Sequence, residues 1–278
     1  MVSRAAGGIC YTRRLPEVTI GAPGPPMSER PYISLILPAF NEAATIGRTI
    51  GKAAAYFEAR GLSYEIIVAA DGEDGTREAV AALAEVNPRI KVTGHRERSG
   101  KGRGVREAVA LSTGSIVGYA DADYKVPMEE FDNLRPWLDQ GVEIVTGSRA
   151  LARSVIERRQ PWYRRLGSMG FHIFMRAVTG LRGVTDSQCG FKFFHRDAAL
   201  DLFSRQKIDG YMFDVELLVL AQLLGYTVKE APIRWRDDGD SRLELVRGNL
   251  RNVADIWRIR LSRAEYRAAG AERARARP

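Results

Sequence analysis

Two rhythms of apolar and polar positions alternate along this chain. Short apolar runs, "YISLILP", "YEIIVAA", "IKVTG", "SIVGYA" and "VEIVTG", read as buried strands, each closed by a turn-forming or charged residue. Between them lie helical patterns over residues 42–60, "DGTREAVAALAEV", "GRGVREAVALST" and residues 127–139. Asp74 stands where it can cap the second of these. The third sets Val105, Val109 and Leu111 inward. Strands alternating with helices predict an α/β fold, a mostly parallel sheet covered on both faces.

The second half is less regular. Residues 150–162 read as a basic loop, 163–180 as a helix, "CGFKFFH" as a strand and 212–224 as an apolar helix. "TVKEAPIRW" is a late strand, and residues 244–268 form a final helix. On that helix Val246, Leu250, Val253, Trp257 and Leu261 recur at spacings of three and four, a stripe set among arginines. Such a stripe suits packing against the protein or lying in a membrane interface. Residues 1–30, with "GAPGPPMSER", carry no period and read as a flexible leader. Residues 31–241 form the folded domain, and 242–278 a basic amphipathic helix and tail.

Charge sharpens this. The net charge is +8, and residues 242–278 supply +6 of it, with ten arginines against four acids. A basic end seeks phosphates, whether on nucleic acid, anionic lipid or substrate. No RNA-binding signature or aromatic-basic interleaving supports nucleic acid as the partner. No apolar run reaches the roughly 18 residues that span a bilayer, and no signal peptide is visible. The expectation is a cytoplasmic protein, attached to membrane at most peripherally. Cys10 and Cys189 do not suggest a disulfide, and the three histidines show no metal-ligand spacing.

Ligands of open α/β sheets sit at the carboxyl ends of the strands. Three candidate clusters fall there. Pro38, Phe40 and Glu42 end the first strand, either as a strand stop and helix start or as a lip turned to a nucleoside. Asp71 follows the second, able to accept from a base N–H or merely to begin a turn. Asp121-Ala122-Asp123 follows the fourth. Paired carboxylate oxygens there suit Mg²⁺ or Mn²⁺ and a diphosphate, but a bare Asp-x-Asp is also an ordinary acidic turn. "RSGKGRG" lacks the Walker A spacing, yet can bring Lys101 and helix-start amides to a diphosphate, or be a basic surface turn.

Taken together, "LPAFNEAATI", "EIIVAADGEDGT", "GKGRGVREAV", "YADAD" and "VTGSR" resemble the inverting family-2 glycosyltransferases of GT-A fold. "GFHIFMRAVTGLRGVTDSQCGFKFFHRDAA" and "YMFDVELLVLAQLLGYTVKEAPIRW" resemble the dolichyl-phosphate glucosyltransferase branch. The resemblance runs from about Tyr32 to Arg260. It implies metal-dependent transfer of a hexose from a UDP- or GDP-sugar, UDP-glucose first, to a polyprenyl phosphate. It gives Pro38, Phe40, Glu42 and Asp71 to the nucleoside, and Asp121 and Asp123 to the metal and diphosphate. Arg149 and Arg164 fall near the acceptor phosphate, with Asp186, Gln188 and Lys192 in the acceptor-side block. Asp214 and Glu216 form a second acidic block. Asp186 is the first candidate for a general base toward a hydroxyl acceptor, with Asp214 or Glu216 behind it; those two fit a structural role equally.

Two positions depart from the family pattern. Ala70 stands where a paired aspartate is usual, and Lys125 where many relatives place glutamine. A protonated lysine cannot ligate a metal, but it can bind phosphate directly. Two rival readings are a soluble family-2 transferase acting on a sugar or small-molecule hydroxyl, and a non-catalytic module binding anionic ligands or lipid.

Overall fold

The computed structural model describes residues 30–157, 162–236 and 247–276, with the side chains of 162–168 and 247–249 left out. The expected leader and Cys10 therefore lie outside the described residues.

The chain folds in the order β1 (Ile33–Phe40), α1 (Ile46–Ala59), β2 (Tyr64–Asp71), α2 (Thr76–Val86), β3 (Ile90–Thr93), α3 (Lys101–Leu111) and β4 (Ile116–Ala120). A 3-10 turn (Met128–Glu130) leads into α4 (Phe131–Asp139). Then come β5 (Ile144–Ser148), β6 (Val155–Ile156), α5 (Trp162–Thr179), β7 (Phe191–His195), α6 (Arg196–Arg205), α7 (Phe213–Leu224), β8 (Val228–Pro232), β9 (Arg234–Trp235) and α8 (Arg247–Ala276).

Seven strands make one sheet, in the order β3-β2-β1-β4-β7-β5-β8. All neighbours are parallel except β7, which runs antiparallel to both β4 and β5. The carboxyl ends of β1, β2 and β4 and the amino end of β7 therefore share one edge. The sheet separates two apolar cores. One face packs on α1 and α4 through Leu35, Val68 and Phe193; the other packs on α3, α6, α7 and α8 through Ile36, Tyr119 and Phe194. Continuous buried runs like those of β1 and β2 are what two covered faces demand.

Several local expectations change. Helix α1 begins at Ile46 rather than residue 42, after a turn in which Asn41 adopts φ 55°. In α2 the first helical residue is Thr76, and Asp74 accepts from its N–H and its hydroxyl at 3.1 and 2.6 Å, just outside the helix. Leu111 is 49% exposed, and Ala108 takes the inward position with Val105 and Val109. The expected basic loop contains β6, which pairs in parallel with β9. "TVKEAPIRW" thus serves two sheets, its break falling at Ile233.

Helix α8 is longer than expected and is turned the other way. Ile256, Ile259 and Tyr266 enter the core against α5 and α7, while Leu250, Trp257 and Leu261 face outward. Val253 is partly buried, and Val246 lies outside the described residues. No described helix is long and apolar enough to cross a membrane.

Candidate active site

At the shared sheet edge, β1 and β2 run in register to their last residues, so Phe40 lies beside Asp71. Arg98, on the segment leading into α3, places its guanidinium 4.6 Å from the centre of the Phe40 ring and donates to the Tyr211 hydroxyl at 3.0 Å. Phe40, Arg98 and Tyr211 together form a cationic, aromatic ledge, and such groups can stack on a base. Arg98 and Tyr211 were not singled out in the sequence: one sits in a polar loop, the other just before an apolar helix. Their shared signal is proximity in space alone.

Asp71 is buried beneath that ledge. It accepts from His95 N at 3.1 Å and from Ser99 N and Oγ at 2.7 and 2.8 Å. It therefore braces the loops after β2 and β3, rather than standing free for a base. Glu42 is partly exposed and accepts from the Thr45 hydroxyl at 2.6 Å. Pro38 lies inside β1 beside Ala69, forming floor rather than lip.

Asp121 follows β4 directly. Its carboxylate meets Lys101 Nζ at 2.6 Å, and its N–H donates to Gly190 O at 3.1 Å. Burial works to lower the Lys101 pKa, but the nearby Asp121 and Asp214 charges and the hydrogen bond to Asp121 outweigh it and raise it. Asp123 meets Lys125 Nζ at 2.8 Å. Ala122 between them turns inward, its methyl buried and its carbonyl accepting from the Thr49 hydroxyl at 2.7 Å. Each carboxylate of the Asp-Ala-Asp pair thus holds one lysine ammonium.

The donor set fits a hard divalent cation in one specific way. Among the described residues no group of three or more His, Cys, Asp or Glu side chains converges to hold a metal by itself. Mg²⁺ commonly takes one or two protein carboxylates and completes its shell with phosphate and water. Asp121 and Asp123 can supply that share, once the two ammonium groups move to the phosphates.

The amides at the start of α3 are not part of this. Gly102 N and Arg103 N both donate to Asp209 O, at 2.8 and 3.2 Å. A side chain at Gly102 would collide with Ile208 O and Phe213. The phosphate-loop expectation for "RSGKGRG" reduces to Lys101.

Across the edge, β5 ends at Ser148 and hands on to Arg149. Its guanidinium grips Asp186 at two points, Nε to Oδ2 at 2.7 Å and Nη2 to Oδ1 at 2.8 Å. Its backbone N–H adds a third bond at 2.9 Å. Asp186 is 5% exposed. Burial would raise its pKa, but the Arg149 hydrogen bonds and charge hold it below the usual carboxylate range. A depressed, doubly gripped carboxylate is a poor general base.

Lys192 and Asp214 lie underneath the site. The β4–β7 register sets Lys192 beside Tyr119. Lys192 is completely buried, and its ammonium donates to Asp214 Oδ1 at 2.5 Å, Cys189 O at 2.7 Å and Ser187 O at 3.1 Å. All three N–H bonds are spent, so Lys192 holds the 186–190 segment in shape and does not reach an acceptor here. Asp214 also accepts from the Tyr119 hydroxyl. Burial and the Asp214 charge raise the Tyr119 pKa far above its ordinary value.

Glu216 is farther off. It accepts from Lys207 N, Ile208 N and the Tyr266 hydroxyl, tying α8 to the loop before α7. The structure gives it a structural place. Burial raises its pKa despite those bonds. Gln188 is partly exposed on the 186–190 segment. The Arg164 side chain lies outside the described residues. His172 on α5, which sequence reasoning did not nominate, has a buried Nε2 with no hydrogen-bonding partner among the described residues; burial lowers its pKa. Burial pushes the Cys189 thiol up to about 12, leaving it unreactive.

Gly190 joins the two halves. A Cβ there would run into the Asp121 carboxyl group. The segment carrying Asp186 and Gln188 can therefore lie against the Asp-Ala-Asp turn.

The chain resembles known proteins in sequence and in fold. The profile of glycosyl transferase family 2 matches residues 34–203. The chain is 33% identical to a dolichyl-phosphate beta-glucosyltransferase of Trichomonas vaginalis over 82% of its length and 70% of that protein's. It is 30% identical to the dolichyl-phosphate beta-glucosyltransferase of Homo sapiens, over 83% and 79% respectively. Among solved structures it resembles glucosyl-3-phosphoglycerate synthase from Mycobacterium tuberculosis, in complex with Mn²⁺, UDP-glucose and phosphoglyceric acid. The TM-score is 0.56 at 20% identity, over 89% of this chain and 86% of that one.

Proposed function

Because the chain belongs to glycosyl transferase family 2, a family of nucleotide-sugar transferases, we propose that it transfers glucose from UDP-glucose to a polyprenyl phosphate of the dolichyl type, inverting the anomeric carbon. The relatives' names support the acceptor and the sugar. The solved neighbour with Mn²⁺ and UDP-glucose supports the donor and a divalent cation on the same fold.

One observation of this structure carries the reading furthest. None of the three carboxylates nominated as general base is free to act as one: Asp186 is gripped by Arg149, Asp214 by Lys192 and Tyr119, and Glu216 by two backbone amides and Tyr266. A hydroxyl acceptor needs its proton removed as it attacks. A phosphate monoester is already anionic near neutral pH and needs only positioning. The site suits the second kind of acceptor.

The residues divide the work. Phe40 and Arg98 present a stacking surface to the base, and Asp71 keeps their loops in place. Asp121 and Asp123 would hold a divalent cation, Mg²⁺ or Mn²⁺, which would supply positive charge to the diphosphate leaving group. Lys101 moves from Asp121 to a phosphate oxygen, supplying positive charge where the leaving group develops its own negative charge. Arg149 and Asp186 brace the segment whose Gln188 faces the acceptor.

The outward stripe of Leu250, Trp257 and Leu261, with Arg251, Arg258 and Arg260 on the same helix, supports peripheral attachment to a membrane surface. Co-sedimentation with anionic vesicles tests this: Trp257→Ser with Leu261→Ser should release the protein without lowering its melting temperature.

The function itself is tested by incubating the protein with a panel of labelled nucleotide sugars, polyprenyl phosphate and Mg²⁺ or Mn²⁺, then extracting with organic solvent. Label from UDP-glucose should enter the lipid phase. Transfer only to a soluble sugar or small-molecule hydroxyl would overturn the proposal.

A further inference from the structure

Beside Asp123, away from the base ledge, lies a cavity of about 290 Å³. Five cationic side chains line it: Arg48 and Lys52 of α1, Lys125 of the turn after β4, and Arg234 and Arg236 at β9. Its acids are Asp123 and Glu157. The formal balance is +3, and Asp123 already meets Lys125. The cavity shares no residue with the Phe40–Arg98–Tyr211 ledge.

Bringing these cations together carries a cost. Arg48 and Lys52 are four residues apart on one helix, a like-charge spacing that weakens a helix. Tyr124 adopts φ 57°, an uncommon conformation for a bulky residue. That turn sends Lys125 toward the cavity, and the ammonium of Lys52 lies 4.5 Å from the centre of the Tyr124 ring. Lys125 O then accepts from Arg236 N at 3.0 Å, fixing the strand that carries both arginines to the Asp-Ala-Asp turn. Pairing of β6 with β9 steadies that strand from its other side. Cations drawn together from separate chain segments are stabilised by an anion placed among them.

Size narrows the ligand. The volume lies at the small end for ligand pockets and has room for a phosphate with its attached atoms. Chemistry narrows it again. Arg149, expected to bind the acceptor phosphate, spends its planar fork on Asp186. The cations bordering Asp123 offer that charge further partners, and Arg234 among them is only loosely engaged, its Nε 3.9 Å from Glu130 Oε1.

We infer that this cavity binds a phosphate monoester dianion, and, resting on the function proposed above, that the phosphate is the acceptor's. Arg234 and Arg236 supply planar forks for its oxygens, Lys125 an ammonium next to the reacting centre, and Arg48 and Lys52 the outer charge.

The test is calorimetry with two probes, inorganic phosphate and a short-chain polyprenyl phosphate in detergent, on the wild type and on Arg234→Gln/Arg236→Gln and Arg48→Gln/Lys52→Gln. UDP binding and melting temperature are measured alongside. Losing two charge-assisted contacts should weaken both probes by about tenfold or more while leaving UDP affinity and melting temperature unchanged. The loss should shrink at high salt. If the wild type binds inorganic phosphate in this arginine-dependent way but binds no polyprenyl phosphate, the cavity stands as a phosphate site and the lipid acceptor falls. If the polyprenyl phosphate binds and reacts equally in wild type and both variants, the cavity proposal falls and the lipid acceptor stands. A wild type that binds neither probe overturns the cavity proposal, as does a UDP affinity that falls in step with phosphate affinity.

Discussion

Arg149 and Asp186, 37 residues apart in the chain, hold one another by two parallel N–H to oxygen bonds and a third from the Arg149 backbone. Arg149→Lys removes the fork but keeps the charge, and should cost about 2 kcal/mol or more of stability. That is less than the roughly 3–5 kcal/mol for a wholly buried pair, because the guanidinium is 31% exposed. Denaturant unfolding measures it. The pH dependence has a definite sign. Asp186 is held below its free value of 3.8, so its stabilisation is complete above that value and is lost as pH falls through the lowered one. The stability gap between wild type and Asp186→Asn should stay level from neutrality to about pH 5 and close below about pH 4. The rate profile should show no limb near neutrality that Asp186→Asn removes.

Lys192→Met leaves the Asp214 carboxylate buried and short of its main partner. Breaking such a pair from one side costs about 3–5 kcal/mol. Asp214→Asn should cost a similar amount. Lys192→Met/Asp214→Asn should recover part of the loss, because it removes both charges together. A double-mutant cycle by thermal or denaturant unfolding reads the coupling directly.

Gly190→Ala should separate folding from chemistry. The new methyl meets the end of a side chain, the Asp121 carboxyl, which can swing aside. The fold should survive with a melting temperature within a few degrees of the wild type. The displaced carboxylate should cost about 100-fold in kcat, the scale expected when a reacting arrangement shifts by an ångström. Circular dichroism and steady-state kinetics together decide it.

Lys125→Gln removes the ammonium that meets Asp123 at 2.8 Å. A cation entering the Asp-Ala-Asp turn would no longer compete with it. Mn²⁺ affinity, measured by electron paramagnetic resonance on the nucleotide-bound protein, should rise about tenfold, within the energy of one nearby charge at intermediate screening. Unchanged or weaker binding would show that Lys125 does not hold Asp123 against the metal.

Much of this architecture is readable from the chain because its physics is local. A strand buried on both faces must be an unbroken apolar run, so β1, β2, β4 and β5 announce themselves. Asp121 and Asp123 are legible as a candidate site because strand order concentrates ligands at carboxyl ends. What fails to read is whatever depends on partners distant in sequence. The residues of β7 do not state its direction, yet that direction brings Gly190 to Asp121. Helix α8 carries two apolar sets at helical spacing, and docking on α5 and α7, not periodicity, buries Ile256, Ile259 and Tyr266 while leaving Trp257 outside. Lys192 looks like a ligand group in a polar block, but pleat alternation and the β4–β7 register send it under the sheet to Asp214. The helix-start amides of α3 look free for phosphate until Asp209, far along the chain, takes them.

The antiparallel set of β7 has one more effect. Since β5 ends at the ligand edge and β7 starts from it, the chain from Arg149 to Gly190 is an excursion that begins and ends at the same place. The Arg149–Asp186 pair closes its neck. Insertions or deletions at the exposed turn just beyond that neck, Ala152 and Arg153, need not disturb β1, β2 and β3. The excursion is anchored along its length as well as at its neck: β6 pairs with β9, and Met175 of α5 is fully buried in the core shared with α7 and α8.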